Sequence, residues 1–274
     1  MKNTLITFSL ALAMIIGGCS QETSTEQIQD DPIQAVDKEK VKEVDKSNEQ
    51  SKSVVKEDVG RNSGQAQNGE SELAVKSPVV VAEPESLTAL VNKHYQLPNT
   101  YKPADLVYPN VPFTFSDRIE KRMLRQPAAE ALEEMFQEAK KNGIYLLGVS
   151  AYRSHERQKA LFAYYSKRDG EEKALTYSAL PGTSEHETGL AIDVTGGDGT
   201  CAASDCFGGT PEANWLKEHA YEYGFIVRYP EGREHITGYK YEPWHLRYVG
   251  KQAASVIVYD YETLEAYSNE VNVF

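Results

Sequence analysis

Ser184-Glu-His186-Glu-Thr-Gly189-Leu-Ala191-Ile-Asp193-Val194 is the stretch on which the reading of this chain turns. His186 and Asp193 are both side chains that bind divalent metals, and a tight loop separates them. From Leu190 onward the pattern alternates. Leu190, Ile192 and Val194 would face a core, and Ala191 and Asp193 the opposite side. Ala191 is small, which leaves space above the strand beside Asp193. Gly189 permits the backbone turn that would bring His186 back over it.

A second stretch completes the set. Glu242-Pro-Trp-His245 opens the strand-forming run Trp-His-Leu-Arg-Tyr-Val. Two histidines and one carboxylate would leave a metal with an open position for water, the pattern of catalytic zinc. Zinc lowers the pKa of bound water to roughly 7. A further carboxylate must then move protons, and Glu242 is placed for that role. Residues three apart on a plain strand point to opposite faces, so a bend at Pro243 is needed to turn Glu242 and His245 toward one site. A lone histidine is more often structural than a ligand; the four residues gain their weight together, through the family resemblance they carry.

These segments resemble the VanY-like D-alanyl-D-alanine carboxypeptidases, which carry Ser-x-His-x-x-Gly-x-Ala-x-Asp followed downstream by Glu-x-x-His. Ser150-Ala-Tyr152-Arg153-Ser154 with Gln158 also matches. A weaker match joins Leu90-Val-Asn-Lys93, Leu97-Pro98, Tyr101 and Asp105-Leu106-Val107. The resemblance covers about residues 87 to 260. It implies an α+β fold in which a small, mostly antiparallel sheet flanked by helices carries one zinc ion, as in hedgehog-type zinc domains. It implies that His186, Asp193 and His245 hold the zinc and that Glu242 is the base. It also implies that Arg153 grips the substrate's terminal carboxylate, with Gln158, Tyr152 and Ser184 as further substrate contacts. A planar guanidinium suits that task because it donates two parallel hydrogen bonds. The fold alone would not prove catalysis.

The chain of 274 residues carries a net charge of −12, which disfavours nucleic acid as a partner. Residues 1–19 read as a lipoprotein signal peptide. Lys2 precedes an apolar run too short to span a bilayer, and Ile16-Gly-Gly-Cys19 resembles a bacterial lipobox. Lipidated Cys19 would anchor the chain to the outer face of a bacterial membrane. Residues 20–85 hold 8 basic and 15 acidic side chains and no aromatic one. Such a segment reads as a disordered acidic tether, with a reach of roughly 40–50 Å. The catalytic domain is assigned to 86–274.

Within the domain, an amphipathic helix is expected over Gln126 to Lys141, with Ala128, Leu132, Met135, Phe136 and Ala139 buried. A strand over Ile144 to Val149 follows, then a helix capped by Ser154. A third helix would be capped by Thr210, and a closing helix is expected over Gln252 to Tyr267. His155 is expected on the surface, and His219 and His235 are assigned no chemistry. Thr195 to Thr200 lacks the ligands of a calcium loop. Cys201 and Cys206 are close enough for a disulfide in an exported protein.

The resemblance implies a zinc carboxypeptidase that removes terminal D-alanine from peptidoglycan stem peptides, and a monomer is expected. An L,D-carboxypeptidase acting on tetrapeptide stems would use the same machinery. A zinc-bearing wall-binding module without turnover would have no need of Glu242. A serine hydrolase is disfavoured because no Gly-x-Ser-x-Gly elbow is present.

Overall fold

The computed structural model of the protein describes residues 77–271. Cys19, the leader and the expected tether up to residue 76 lie outside the described residues. The domain takes in residues ahead of its expected start at 86. Strand β1 (Val79–Val80) pairs in parallel with β2 (Tyr95–Gln96). The local run Val79-Val80-Val81 is β-branched and suited to pairing, although the surrounding composition is that of a spacer.

A short antiparallel pair follows, β3 (Leu106–Val107) with β4 (Leu124–Arg125). Helix α1 spans Gln126–Lys141, with Pro127 in its first turn. The expected stripe of Ala128, Leu132, Met135, Phe136 and Ala139 is buried. Strand β5 (Leu146–Ser150) leads to α2 (His155–Asp169) and the single turn α3 (Glu171–Ala174). The Ser154 side chain caps α2 by accepting from the Arg157 N–H.

The central sheet has strand order β5-β6-β8-β7. Its other members are β6 (Ala191–Gly196), β7 (Phe225–Tyr229) and β8 (Glu242–Tyr248), and every pairing in it is antiparallel. Between β6 and β7 lies α4 (Pro211–His219), capped by Thr210. The turn α5 (Glu234–Thr237) precedes β8. Leu190, Ile192 and Val194 pack into the main core with the α1 stripe, Phe225 and Leu246. One face of the sheet is thereby covered, and Asp193 points to the other, as the alternation requires. Cys201 and Cys206 form a disulfide in the connection before α4.

The closing element differs from expectation. In place of one helix over Gln252 to Tyr267 there are two, α6 (Lys251–Val256) and α7 (Leu264–Val271), joined by a π-helical turn over Ile257–Tyr261. Glu262 adopts a left-handed φ of 63° at the break. The buried Thr263 then caps the next turn by accepting from the Ala266 N–H. The break redirects the chain so that Glu265 enters the interior and meets Arg228.

Candidate metal centre

Asp193 and His245 are direct cross-strand partners in the β6–β8 ladder. Side chains so paired emerge on the same face within reach of each other. His245 Nδ1 lies 3.1 Å from Asp193 Oδ1. His186 comes from the 3-10 turn Glu185–Thr188, which ends at Gly189 in the left-handed conformation, φ 68°. That turn folds His186 over the strand, with its Nε2 3.4 Å from Asp193 Oδ2. A Cβ at Gly189 would lie 2.9 Å from Leu106 Cδ2 and 3.0 Å from Arg125 Cγ, so both backbone angle and space call for glycine.

Glu242 joins the same face through an irregularity in β8. Val227 pairs with Leu246 and Tyr229 with Glu242, so the single residue Arg228 faces three, Pro243 to His245. This bulge supplies the bend expected at Pro243. Glu242 Oε2 stands 3.8 Å from His245 Nδ1.

The donor set fits a divalent metal. One ligand atom from each of His186, Asp193 and His245 falls within 4.8 Å of the others, and all three residues are buried. His186 Nδ1 lies 2.7 Å from the Ala151 carbonyl, which can only accept. Nδ1 therefore carries the proton, and the Nε2 lone pair is free to face Asp193. Among the described residues, buried Asp193 Oδ1 makes no well-aligned hydrogen bond, although His245 Nδ1 lies 3.1 Å away. With Oδ2 facing the His186 Nε2 lone pair and Oδ1 facing His245 Nδ1, the carboxylate is flanked by two imidazole nitrogens, a donor set that a divalent cation fits.

Electrostatics separate the carboxylates. Burial alone would push Asp193 up, but the two histidines beside it hold it ionised, well below the usual carboxylate range. Burial raises Glu242 to about 7; His245 opposes the rise and the Asp193 charge adds to it. Burial would pull His245 down, yet Asp193 and Glu185 hold it up at about 9. Burial lowers His186, with Asp193 opposing and Arg153 assisting, and keeps its imidazole neutral. One carboxylate always charged and one poised near neutrality is the pairing expected of a ligand and a base.

The Ser150–Ser154 segment is tied to this centre through backbone. The Arg153 N–H donates to the His186 carbonyl at 3.2 Å. Arg153 Nη1 donates to Gln158 Oε1 at 2.9 Å, and Nη2 to Ser150 Oγ at 3.4 Å. Gln158 is fully buried, and its amide nitrogen donates to the Ala179 carbonyl at 2.6 Å. Both ends of its amide are thus engaged in fixing Arg153. Tyr152 and Ser184 are both buried. Burial, then the charges of Glu120 and Glu187, keeps Tyr152 neutral with a pKa near 12.

Two features escaped the sequence reading. His155 is not a free surface residue: its Nδ1 lies 2.9 Å from Glu187 Oε2. The other Glu187 oxygen accepts from the Gly182 N–H at 2.7 Å, which pins the approach to the His186 turn. The larger omission is a buried ion cluster of Glu185, Arg228, Arg247 and Glu265. Its signal was present, since Arg228 and Arg247 interrupt otherwise apolar strand runs.

The family model for VanY, D-alanyl-D-alanine carboxypeptidase, matches residues 121–251. A protein of Bacillus subtilis (strain 168), putative carboxypeptidase YodJ, is 50% identical over 191 residues, covering 70% of each chain. This chain belongs to the VanY family. Its members include zinc-dependent carboxypeptidases and dipeptidases, and the protein is a peptide hydrolase of that kind. The LdcB LD-carboxypeptidase superposes with a TM-score of 0.68 at 49% identity, over 71% of this chain and 91% of that one. The VanY D,D-pentapeptidase, determined as a mutant in complex with Zn(II), gives 0.54 at 32% identity, over 68% and 99%. The mixed architecture with a small antiparallel sheet is the one these peptidases share.

Proposed function

We propose that this protein is a zinc carboxypeptidase that releases terminal D-alanine from peptidoglycan stem peptides. The observation that carries the reading is the cross-strand pair Asp193 and His245, with His186 folded above and Glu242 turned onto the same face. His186, Asp193 and His245 would hold one metal ion. A bound zinc supplies Lewis-acid polarisation of the scissile carbonyl and of water.

This chain's own residues do the rest. Glu242 takes a proton from the attacking water and delivers it to the leaving amine as the peptide C–N bond breaks. Arg153, held by Gln158 and Ser150, grips the terminal carboxylate and so restricts cleavage to the last residue.

Two scissile bonds are in question. The family description favours the D-alanyl-D-alanine terminus of pentapeptide stems. One observation favours the L,D bond of tetrapeptide stems: the likeness to LdcB, at 49% identity, exceeds that to the VanY D,D-pentapeptidase, at 32%. Product masses after incubation with each stem test the reading. Loss of one alanine from either supports carboxypeptidase action, and the preferred stem assigns the bond. Intact peptides in both would sink it.

The Cys19 lipobox and the acidic spacer support placement on the outer face of a bacterial membrane, tethered so that the domain reaches the wall. Cys19→Ala should then release the protein from the membrane fraction; continued membrane retention would count against the anchor.

A further inference from the structure

Beneath the metal centre lie four buried charged residues that the reaction as described does not use. Glu185 Oε1 accepts from Arg228 Nε at 2.7 Å and from Arg247 Nη1 at 2.6 Å. Arg228 turns its two terminal nitrogens to Glu265, at 2.8 and 2.6 Å, and Asn92 donates to Glu265 at 3.1 Å. Arg247 spends its remaining donors on the Leu87, Ala89 and Tyr248 carbonyls. One atom of this cluster stands out. Glu185 Oε2 is buried with no hydrogen-bond partner among the described residues. It faces His245 Nε2 at 3.5 Å, and that nitrogen is also buried without a partner.

Two orphaned polar atoms facing each other inside a protein demand an explanation. A buried ion cluster is poor evidence for stability, since packed apolar residues often do as well. Glu185 follows a serine and precedes His186, so the turn that presents one imidazole to the centre also places a carboxylate behind the other. A histidine ligand commonly gives its second nitrogen to a carboxylate, which selects the tautomer and fixes the ring.

We propose that Glu185 is a positioning residue for the metal centre: its Oε2 accepts a hydrogen bond from the Nε2–H of His245 and so presents Nδ1 to the metal, while Arg228 and Arg247 lock the carboxylate in place from the other side. The proposal rests on His245 being a ligand, as read above. Nδ1 is the nitrogen that faces Asp193, which agrees with this assignment. The two arginines bond Oε1, which among the described residues leaves Oε2 to face the imidazole.

Glu185→Gln in the full-length chain makes a sharp test. The arginines will claim the amide oxygen, because they can only donate. The amide NH2 must then face His245 Nε2, donor against donor. The variant should bind zinc about 10–100-fold more weakly in competition with a chromophoric chelator. Its cobalt-loaded form should show shifted visible bands. Glu265→Gln loosens the same cluster without touching His245; it should lower the melting temperature yet leave zinc affinity within about threefold of wild type.

Wild-type zinc affinity and an unchanged cobalt spectrum in Glu185→Gln would overturn the proposal. Should that variant fail to fold, nitrogen NMR of the zinc-loaded wild type decides. A protonated Nε2 and metal-bound Nδ1 on His245 are expected, and the reverse assignment overturns the role. If wild type itself binds no zinc, the metal-centre reading falls and this proposal with it. Tight wild-type binding retained in Glu185→Gln removes the proposal alone.

Discussion

Glu242 and His245 are three residues apart on one strand, yet their side chains meet, Oε2 to Nδ1, at 3.8 Å. A regular strand would have sent them to opposite faces. The bulge across Pro243 to His245 turns them together, so a local break in the ladder brings a second carboxylate beside the His186, Asp193 and His245 cluster.

The base should be separable from the metal. Glu242→Gln is expected to keep zinc at the wild-type stoichiometry and lose about 10²–10⁴-fold in kcat on a stem peptide. Elemental analysis paired with a cleavage assay checks both halves. Near wild-type turnover in the variant would remove Glu242 from the mechanism.

The raised Glu242 carboxyl also has a stability signature in metal-free protein. Its pKa is about 7 folded, against 4.5 for an unburied glutamate, so the folded form binds more protons between those values. Stability should therefore fall as pH rises from about 4.5 to 7, and the full penalty stands above 7. The shift corresponds to roughly 3 kcal/mol at most. Metal-free Glu242→Gln should be more stable than wild type at pH 8 and gain little at pH 4, as read by urea unfolding.

Metal uptake should release protons. Asp193 and Glu185 outweigh burial and hold His245 up at about 9 without metal, so its imidazole is charged at pH 7.5. A ligand must be deprotonated, so loading zinc there expels about one proton from this site. Calorimetric titrations in two buffers of different ionisation enthalpy measure that number. For the metal-free fold, the stability that this raised pKa contributes is present below about 6.5 and lost as pH climbs through 9.

Arg153 and Gln158 should fail together. Arg153→Ala is expected to cut kcat/KM by roughly 30–1000-fold, the worth of a charge-assisted grip on a carboxylate. Gln158→Leu removes the side chain that holds the guanidinium and should cost about tenfold, chiefly in KM. A substrate with an amidated C-terminus should be a poor substrate for wild type and lose little further in Arg153→Ala. A full additional loss would place Arg153 elsewhere in the mechanism.

Much of this was legible in the chain. The alternation from Leu190 to Val194 gave the buried face of β6, and helix α1 kept its expected ends because its apolar stripe is long and regular. The closing helix was misjudged because periodicity cannot register a left-handed Glu262. Nor does the one-dimensional pattern reveal that Glu265 has a buried arginine waiting for it. Glu185 was hidden for the same reason. An acidic residue before a histidine looks like solvent-facing charge until Arg228 and Arg247, some 40 to 60 positions away, are folded beside it.

Zinc-edge anomalous diffraction from crystals of the zinc-loaded protein tests the central claim most directly. One strong peak is predicted among His186 Nε2, an Asp193 carboxylate oxygen and His245 Nδ1, with Glu242 beside it and unbound. A peak seated on other residues, or none at this cluster, would contradict the account.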